Sequence, residues 1–175
     1  MPAPSPLPPR SKIVAALSYN PDTGVFHWRY RADQSKRWNT LYAGKVAGSR
    51  RANGRRRIML NGVSFHANRL AWGYVHGDIP NGLNIDHADG DFGNDAIANL
   101  RLCTQSQNLA NMRLPKTSTS GLKGASYCRK HRAWRAYIQK NGKTQSLGTF
   151  PSAEAAHTAY VRAAKAQFGE FARAA

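Results

Sequence analysis

Apolar and polar residues recur along the chain with helical and strand-like spacings, which predict a mixture of short helices and strands. Ser11 is placed as the N-cap of a first helix that runs through Leu17. A turn at residues 20–24, rich in Asn, Pro, Asp and Gly, leads into a strand-like run at 25–28. Residues 29–57 are basic and interrupted by glycines, so they are interpreted either as a solvated loop or as a segment that contacts phosphate.

The next segment predicts a hairpin followed by a helix. Two apolar runs, at 58–60 and 63–66, flank Asn61-Gly62, a pair of residues that favours the two-residue type I′ turn. Residues 68–75 predict a short helix, because their apolar side chains recur one helical turn apart.

Residues 84–113 form the segment around which the rest of the chain is predicted to be organised. Residues 83–87 are strand-like, the Asp, Gly and Asn residues at 89–95 form a turn-rich loop, and 97–103 is placed as the return strand. Thr104 and Gln107 then form a capping box at the start of a short helix. The order strand, loop, strand and helix is a ββα unit.

The C-terminal part of the chain predicts a small sheet covered by one helix. Residues 133–139 alternate, with apolar side chains on one face and polar side chains on the other. Asn141-Gly142 turns the chain into a further strand, and Ser152 is placed as the N-cap of a helix with Glu154 in its first turn. These elements predict a three-stranded antiparallel sheet packed on one helix, which leaves the other face of the sheet uncovered.

The predicted fold class is therefore α+β, with a ββα module followed by the three-stranded sheet and its helix. Residues 1–10 are rich in proline and are predicted to be a mobile tail. The polar run at 114–120 is predicted to be a linker between one domain at 11–113 and another at 121–175.

The chain is strongly basic, with 26 Lys and Arg against 9 Asp and Glu and a net charge of +17. Basic residues are spread over both predicted domains, so each domain is expected to approach a polyanion. A ribosomal or packaging protein would be equally basic, but such proteins rarely need the Asp86-His87 pair. The two cysteines, Cys103 and Cys128, lack the close spacing of a structural zinc site and suit a reducing compartment.

The Asp86-His87 pair has the chemistry required for phosphodiester hydrolysis. One divalent ion can polarise the phosphate and stabilise the leaving oxygen while a histidine deprotonates the attacking water. Asp86 and Asn108 offer hard oxygen ligands of the kind that Mg²⁺ prefers, and His87 offers a base that titrates near neutral pH. Because neighbouring strand residues point to opposite faces, Asp86 and His87 can serve one site only at a twisted strand end or a bulge.

The segment resembles an HNH (ββα-metal) endonuclease of the phage homing-endonuclease type that lacks zinc. The resemblance rests on the Asp-His pair, on a loop with Asp-Gly-Asp and Asn, on the strand Asn-Leu-Arg and on a helix with the pattern Gln-Asn-x-x-Asn. It implies that His87 is the general base and that Asp86 and Asn108 hold one Mg²⁺ or Mn²⁺ ion per active site. It also implies that Asn99 holds the loop through hydrogen bonds to the backbone.

One position departs from the pattern of this family. The family carries His-Arg-Leu before a tryptophan, whereas this chain has Asn68 there and His66 two residues earlier. If the family's histidine contacts phosphate, Asn68 or His66 must replace it, or activity is reduced. This departure favours an alternative function, a non-catalytic DNA-binding regulator with a decayed nuclease module. A basic RNA-associated protein is a third possibility.

Residues 120–172 are similar to the plant ethylene-response-factor (Apetala) DNA-binding domain in its phage form. The similarity rests on Ser-Gly-Leu-Lys-Gly-Ala-Ser-Tyr, Trp-Arg-Ala, Leu-Gly-Thr-Phe-Pro-Ser-Ala-Glu-Ala-Ala and Phe-Gly-Glu-Phe. It implies that the uncovered face of the sheet enters the major groove of DNA. Gln139 stands where plant members carry Arg and Ser146 where they carry Trp, so their base preference cannot be transferred.

The predicted function is that of a metal-dependent DNA endonuclease, most simply one that nicks, since one ββα unit supplies one active site. The expected partner is double-stranded DNA, with no membrane and no small-molecule cofactor. The chain is expected to be a monomer or a dimer that is phage-encoded and acts in the cytoplasm of a bacterial host. The predicted DNA-binding residues are basic or polar side chains of both domains: Arg55, Arg56, Arg57, His66, Arg69, Lys123, Arg129, Lys130, Arg132, Arg135, Tyr137, Gln139, Lys143 and Thr144.

Overall fold

Two compact units make up the chain, residues 1–102 and 103–175. The computed structural model describes residues 5–114 and 118–174 of the sequence. In that described part, no helix combines the length and the apolar character needed to cross a membrane.

The boundary between the compact units falls earlier than the predicted linker. It lies between Leu102 and Cys103, whereas the linker is predicted at 114–120, and residues 115–117 of that run lie outside the described part of the chain. The same holds for residues 1–4 of the predicted tail. The short helix after Cys103 is therefore counted with the C-terminal unit, although the sequence places it in the nuclease domain.

The N-terminal unit is built from short helices and strands. Its elements in chain order are α1 (Arg10–Ala16), β1 (Leu17–Tyr19), β2 (Phe26–Trp28), α2 (Lys36–Tyr42), β3 (Ser49–Arg50), β4 (Arg56–Leu60), β5 (Val63–His66), α3 (Ala67–Val75), β6 (Asn84–His87) and β7 (Leu100–Cys103). Strand β1 pairs with β2, β4 lies between β3 and β5, and β6 pairs with β7. The last residue of β7 is the first residue of the C-terminal unit.

The predicted hairpin is confirmed. Asn61 and Gly62 have φ angles of 51° and 78°, and a type I′ turn requires positive φ at both of its central residues. The flanking strands β4 and β5 pair antiparallel and bring Arg57 opposite His66.

The predicted start of the first helix is wrong. Helix α1 begins at Arg10 with Pro9 as its N-cap, and the carbonyl of Pro9 accepts hydrogen bonds from the N–H groups of Lys12 and Ile13. Ser11 thus lies inside the first turn and does not cap it. Proline is compatible with this place because the first N–H groups of a helix have no partner within the helix.

Two further elements differ from the prediction. Helix α2 lies within the basic stretch interpreted as a loop or a phosphate-contacting segment, and Ser35 caps it by accepting a hydrogen bond from Trp38 N–H at 3.1 Å. Residues Ile97–Asn99 form a 3₁₀ turn, so that β7 begins only at Leu100. The N–H of Ile97 donates to the carbonyl of Pro21, a distant contact that the local sequence does not reveal.

The core of the N-terminal unit anchors the strand that carries Asp86 and His87. Ile85 of β6 is buried in the same apolar cluster as α1, β1, β2, β4 and α3. The large side chains of this cluster that have no exposed surface are Ile13, Leu17, Phe26, Ile58 and Leu70.

The C-terminal unit consists of a short helix followed by a sheet and a longer helix. Its elements are α4 (Gln105–Asn111), β8 (Ala125–Cys128), β9 (Ala133–Lys140), β10 (Lys143–Phe150) and α5 (Ala153–Phe168). The strands form an antiparallel sheet in the order β10, β9, β8, and α5 packs on it. The predicted α+β class is confirmed, as are the three-stranded sheet and its helix.

Both predicted caps in this unit are confirmed. Thr104 Oγ1 accepts from Gln107 N–H at 3.3 Å while the Gln107 side chain accepts from Thr104 N–H at 2.8 Å, which completes the capping box of α4. Ser152 Oγ accepts from Ala155 N–H at 3.1 Å and caps α5. The local sequence therefore determines where these helices begin.

Gly124 has no room for a side chain. Its φ is 76°, and a Cβ built there would lie 2.1 Å from Cγ of Tyr160. We expect Gly124→Ala to lower the free energy of unfolding of the C-terminal unit by at least about 3 kcal/mol, because left-handed strain and overpacking add. Gly142→Ala is the matched control, since Gly142 has the same φ of 76° with nothing within 4 Å. It should cost only about 1–2 kcal/mol. Equal losses in thermal melting would contradict the packing argument.

Candidate active site

Asp86 and His87 are the last two residues of β6, and both are almost completely buried, at 4% and 2% exposure. Their side chains contact different partners. Asp86 contacts Arg101 of β7, and His87 contacts Asp95 in the loop between β6 and β7. The pair thus lies at the end of a strand, the position expected for neighbouring residues that serve one site.

A guanidinium holds the Asp86 carboxylate. Nε and Nη2 of Arg101 lie 3.1 Å and 3.0 Å from Asp86 Oδ2. This charge-assisted contact offsets part of the cost of burying the carboxylate. Carboxylate oxygens are hard ligands that suit Mg²⁺ and Mn²⁺, so an incoming ion would have to share Asp86 with Arg101.

Asp86 and Asn108 each carry an oxygen ligand of the kind that a hard cation prefers. Among the residues that the structure describes, no three His, Cys, Asp or Glu side chains group together as a metal site. One carboxylate and one amide oxygen, completed by phosphate and water, would nevertheless be enough for a mostly solvated ion such as Mg²⁺. Asn108 lies on α4 in the C-terminal unit and is partly buried, and its backbone N–H donates to the carbonyl of Thr104.

Asp95 is a site residue that the sequence analysis missed. Its Oδ1 lies 2.9 Å from Nε2 of His87, and the two side chains are only 5% and 3% exposed. The ring of Phe92 also meets the His87 ring edge-on, with centroids 5.9 Å apart. In the sequence Asp95 is one of several loop carboxylates, and no local signal separates it from Asp89 or Asp91.

Asn99 spans the loop between β6 and β7. Its side-chain oxygen accepts from Asp89 N–H at 3.1 Å, and its amide nitrogen donates to the Asn94 carbonyl at 2.9 Å. The backbone carbonyl of Asn99 also accepts from Ala88 N–H at 2.9 Å. These are the loop-holding hydrogen bonds that the family resemblance implies for Asn99.

The other loop carboxylates stabilise turns. Asp89 Oδ1 accepts from Asp91 N–H and Asp91 Oδ1 accepts from Gly93 N–H, each at 2.8 Å. Partial burial raises the pKa of Asp89, but hydrogen bonds from Asp91 N–H and from the side chains of Asn94 and Asn99 outweigh it and hold this pKa below its ordinary value. Asp89 therefore stays ionised and keeps the loop closed at neutral pH.

The turn between β1 and β2 packs against the backbone of Asp95. The Tyr19 hydroxyl donates to the Asp95 carbonyl at 2.7 Å, and Ile97 N–H donates to the Pro21 carbonyl at 2.9 Å. Gly24, with φ 70°, comes so close that a Cβ built on it would lie 2.3 Å from the carbonyl carbon of Asp95. Burial, and then the charge of Asp95, raises the pKa of Tyr19 far above its ordinary value, so the hydroxyl remains a donor.

The three consecutive arginines predicted to bind DNA have different environments. The guanidinium of Arg55 lies over the ring of Phe92, 4.0 Å from its centroid. Arg56 donates to two backbone carbonyls of the segment before β3, each at 3.1 Å. Arg57 is partly buried, and within the described residues its Nε is buried without a hydrogen-bond partner.

His66 faces Arg57 across the β4–β5 pair. Burial lowers the pKa of His66, and the charges of nearby arginines, Arg57 foremost, lower it further. The imidazole is therefore neutral at pH 7, and within the described residues its Nδ1 is buried without a hydrogen-bond partner. Arg69, also predicted to bind DNA, donates to the carbonyl of Ser5 at 3.0 Å.

Asn68, at the position that departs from the family, supports β6. It is 5% exposed, and its amide nitrogen lies 3.4 Å from the carbonyl of Ile85, to which it donates. Asn68 is thus engaged with the backbone next to Asp86.

Helix α4, which carries Asn108, is held inside the C-terminal unit. Lys123 Nζ donates to the carbonyls of Ala110 and Met112, each at 2.6 Å, and the N–H of Arg173 donates to the Ala110 carbonyl at 3.3 Å. Burial, and then the charge of Arg173, lowers the pKa of Lys123 to about 8. Lys123 is predicted from the sequence to bind DNA, but its ammonium is engaged within the fold, at the C-terminal end of α4.

The remaining predicted DNA-binding residues lie on the C-terminal sheet and its turns. Ala136 and Ile138 are buried against α5, so the alternation of β9 places Arg135, Tyr137 and Gln139 on the opposite face. Arg135 Nη1 donates to the Tyr137 hydroxyl at 3.2 Å. The exposed members of the predicted set on this sheet and its turns are Arg129, Lys130, Arg132, Gln139, Lys143 and Thr144.

Comparison with known proteins places this site in a family. A family model described as HNH endonuclease matches residues 65–110. The chain is 39% identical over 102 residues to protein 3.8 of Escherichia phage T7, which is 58% of this chain and 84% of that protein. It is 35% identical over 98 residues to the uncharacterized HNH endonuclease L560 of Acanthamoeba polyphaga mimivirus, which is 56% of this chain and 50% of that protein.

One solved structure is also similar. It is described as DNA binding and cleavage by the HNH homing endonuclease I-HmuI, with 22% identity, a TM-score of 0.41, and coverage of 81% of this chain and 75% of that chain. The segment matched by the family model contains Asp86, His87, Asn99 and Asn108. The chain covers 84% of the T7 protein at 39% identity, and the family model matches residues 65–110. The chain therefore belongs to the HNH endonuclease family.

Proposed function

We propose that the chain is a metal-dependent endonuclease that hydrolyses phosphodiester bonds of duplex DNA. The observation that carries this proposal is the pair at the end of β6. A hard oxygen ligand, Asp86, is held by Arg101, and the adjacent His87 is held by Asp95. Two buried ionisable neighbours that are each fixed by a charged partner are typical of a catalytic centre.

The proposed roles follow from the chemistry of each side chain. Asp86 and Asn108 would hold one Mg²⁺ or Mn²⁺ ion, and this role of Asn108 rests on its place in the HNH motif. When bound, such an ion polarises the phosphate and stabilises the leaving 3′ oxygen. His87 accepts the proton of the attacking water at Nδ1, since its Nε2 is directed to Asp95. Asn99 keeps the loop between β6 and β7 in place.

The hairpin of the N-terminal unit is proposed to contact the DNA backbone. Arg57 Nε and His66 Nδ1 are buried polar atoms without partners among the described residues, and such atoms are usually satisfied by a ligand or by water. A phosphate oxygen accepts hydrogen bonds from a guanidinium and from a neutral imidazole N–H. His66 is therefore a better candidate for the phosphate contact than Asn68, which bonds the backbone of β6.

The uncovered face of the C-terminal sheet is proposed to dock in the major groove. It presents Arg135, Tyr137 and Gln139 from β9, with Thr144 of β10 paired opposite Gln139. Polar and basic side chains of this kind read base edges and phosphates. Similarity to the ethylene-response-factor domain supports the same orientation. Binding through so many cations should weaken steeply as salt is raised.

The function is tested by incubating the protein with a library of supercoiled plasmids that carry random inserts, in Mg²⁺, Mn²⁺ or EDTA. We expect conversion to open circles with either metal and none with EDTA, because one active site cuts one strand. The random inserts guard against the absence of a preferred target sequence. Tight duplex binding without cleavage in any metal would overturn the proposal in favour of a DNA-binding regulator. Cleavage of RNA but not of DNA would show that duplex DNA is not the substrate.

If the function holds, the site of action is proposed to be the cytoplasm of an infected bacterial host. The relatives come from a phage and from a giant virus.

A further inference from the structure

We infer that Asp95 is the positioning residue of His87, and that the turn between β1 and β2 holds Asp95 in place for that role. The inference deepens the proposed function and rests on it, because it matters for catalysis only if His87 is the base. The family resemblance assigns a role to His87 but none to Asp95.

The geometry of the Asp95–His87 pair determines which nitrogen of the imidazole carries the proton. An ionised carboxylate can only accept hydrogen bonds, so a 2.9 Å contact between Asp95 Oδ1 and His87 Nε2 places the proton on Nε2. The tautomer thereby assigned has Nδ1 as its basic nitrogen. In catalytic and metal-binding histidines alike, a carboxylate on one ring nitrogen fixes both the tautomer and the orientation of the ring.

The contact between Asp95 and His87 is buried. The side chains of Asp95 and His87 are 5% and 3% exposed, so water cannot readily take the place of either partner. Phe92 packs edge-on against the imidazole, and Arg55 in turn covers Phe92. The imidazole is therefore packed on one side against the ring of Phe92 and held at Nε2 by the Asp95 carboxylate.

Asp95 itself is supported by a distant part of the chain. Tyr19 donates to its carbonyl, Pro21 accepts from Ile97 two residues later, and Gly24 approaches its backbone more closely than any side chain would permit. These three contacts hold the backbone from Asp95 to Ile97 and so leave the Asp95 carboxylate little freedom. A site needs this kind of support, because catalytic geometry tolerates errors of only about 0.5 Å.

Kinetics of purified full-length variants provide the first test. We expect Asp95→Ala to lower kcat about 100-fold with KM changed less than about threefold, because the base is misaligned while DNA contacts remain. Asp95→Asn keeps an acceptor oxygen, so its kcat should be about tenfold higher than that of Asp95→Ala. Asp78→Asn is the control for the removal of one carboxylate charge, since Asp78 is exposed and lies outside the site. An unchanged kcat in Asp95→Ala would overturn the inference.

A double variant separates positioning from general support of the fold. If Asp95 acts through His87, adding Asp95→Ala to His87→Ala should cause no further loss of the residual cleavage. A purely structural role would lower that residual rate by the same factor as in the wild type. That outcome would overturn the inference even though the single variant is slow.

Nitrogen-15 NMR of the histidine rings tests the geometry without any reaction. We expect His87 in the metal-free wild type to be the Nε2–H tautomer, assigned by comparison with His87→Ala, and to become a mixture of tautomers in Asp95→Asn. A wild-type ring protonated at Nδ1 alone would overturn the inference. Failure of the proposed function has a different outcome, because the wild type would then bind duplex DNA without cleaving it in any metal.

Discussion

His87→Ala is expected to reduce metal-dependent cleavage to a small residual rate while leaving duplex binding almost unchanged. His87 is buried at the end of β6 with Nε2 directed to Asp95, and its proposed task is to take a proton from water. Loss of a positioned general base costs about 10²- to 10⁴-fold in rate. The measurement is conversion of supercoiled plasmid to open circle at saturating protein, with binding followed separately in EDTA by fluorescence anisotropy.

Binding should persist because the residues proposed to contact DNA lie elsewhere, on the β4–β5 hairpin and on the C-terminal sheet. His76→Ala is a suitable control, since His76 is an exposed histidine at the end of α3, and it should cleave like the wild type. Asp86→Ala should match His87→Ala, although it also leaves Arg101 without its carboxylate. Loss of binding in His87→Ala, or a large fall in its melting temperature, would show that His87 supports the fold instead.

Much of the fold could be predicted from the sequence because the relevant chemistry is local. Asn61-Gly62 determines a turn by its own tolerance of positive φ, and Thr104 with Gln107 caps α4 through groups three residues apart. The same holds for Asp86 and His87, which are adjacent in the chain and indicate a site by their chemistry and their motif. Interactions of short range are encoded by residues that are close in sequence.

The parts that could not be predicted depend on distant contacts. Asp95 becomes a partner of His87 only because the loop is bent back and is supported by Tyr19, which lies 76 residues earlier. Lys123 has the sequence context of a DNA-binding residue, yet its ammonium is enclosed by carbonyls at the end of α4. Helix α2 lies in a basic stretch in which composition obscures the cap at Ser35. For Asp95 and Lys123 the deciding partner is set by tertiary packing, whereas the cap of α2 is a local contact between Ser35 and Trp38.

A chain that ends at residue 113 is expected to lose cleavage altogether, and not only its preference for certain sites. The predicted nuclease domain at 11–113 would retain every motif residue, including Asn108. Helix α4, however, has only seven residues, and isolated helices shorter than about 12 residues are marginal in water.

The contacts that hold α4 come from the part of the chain that this truncation removes. Ala110 packs in a cluster with Ile138, Tyr160 and Phe168, and its carbonyl accepts hydrogen bonds from Lys123 and Arg173. A cation at the C-terminal end of a helix also interacts favourably with its dipole. Without these partners α4 should unfold, and the proposed second metal ligand would be lost with it.

The expected result is a fall in kcat of at least about 100-fold for the 1–113 chain, since the ion would lose one of its two protein ligands. Weak binding alone would also slow cleavage, and saturating DNA distinguishes the two causes. The full-length double variant Arg135→Ala with Gln139→Ala keeps the contacts of α4 and weakens only the sheet face, so its cleavage rate should approach the wild-type kcat at saturating DNA. The truncated chain should remain inactive there, while circular dichroism still shows its folded N-terminal unit. A wild-type kcat for the 1–113 chain at saturating DNA would contradict this account, because α4 would then fold without the C-terminal sheet.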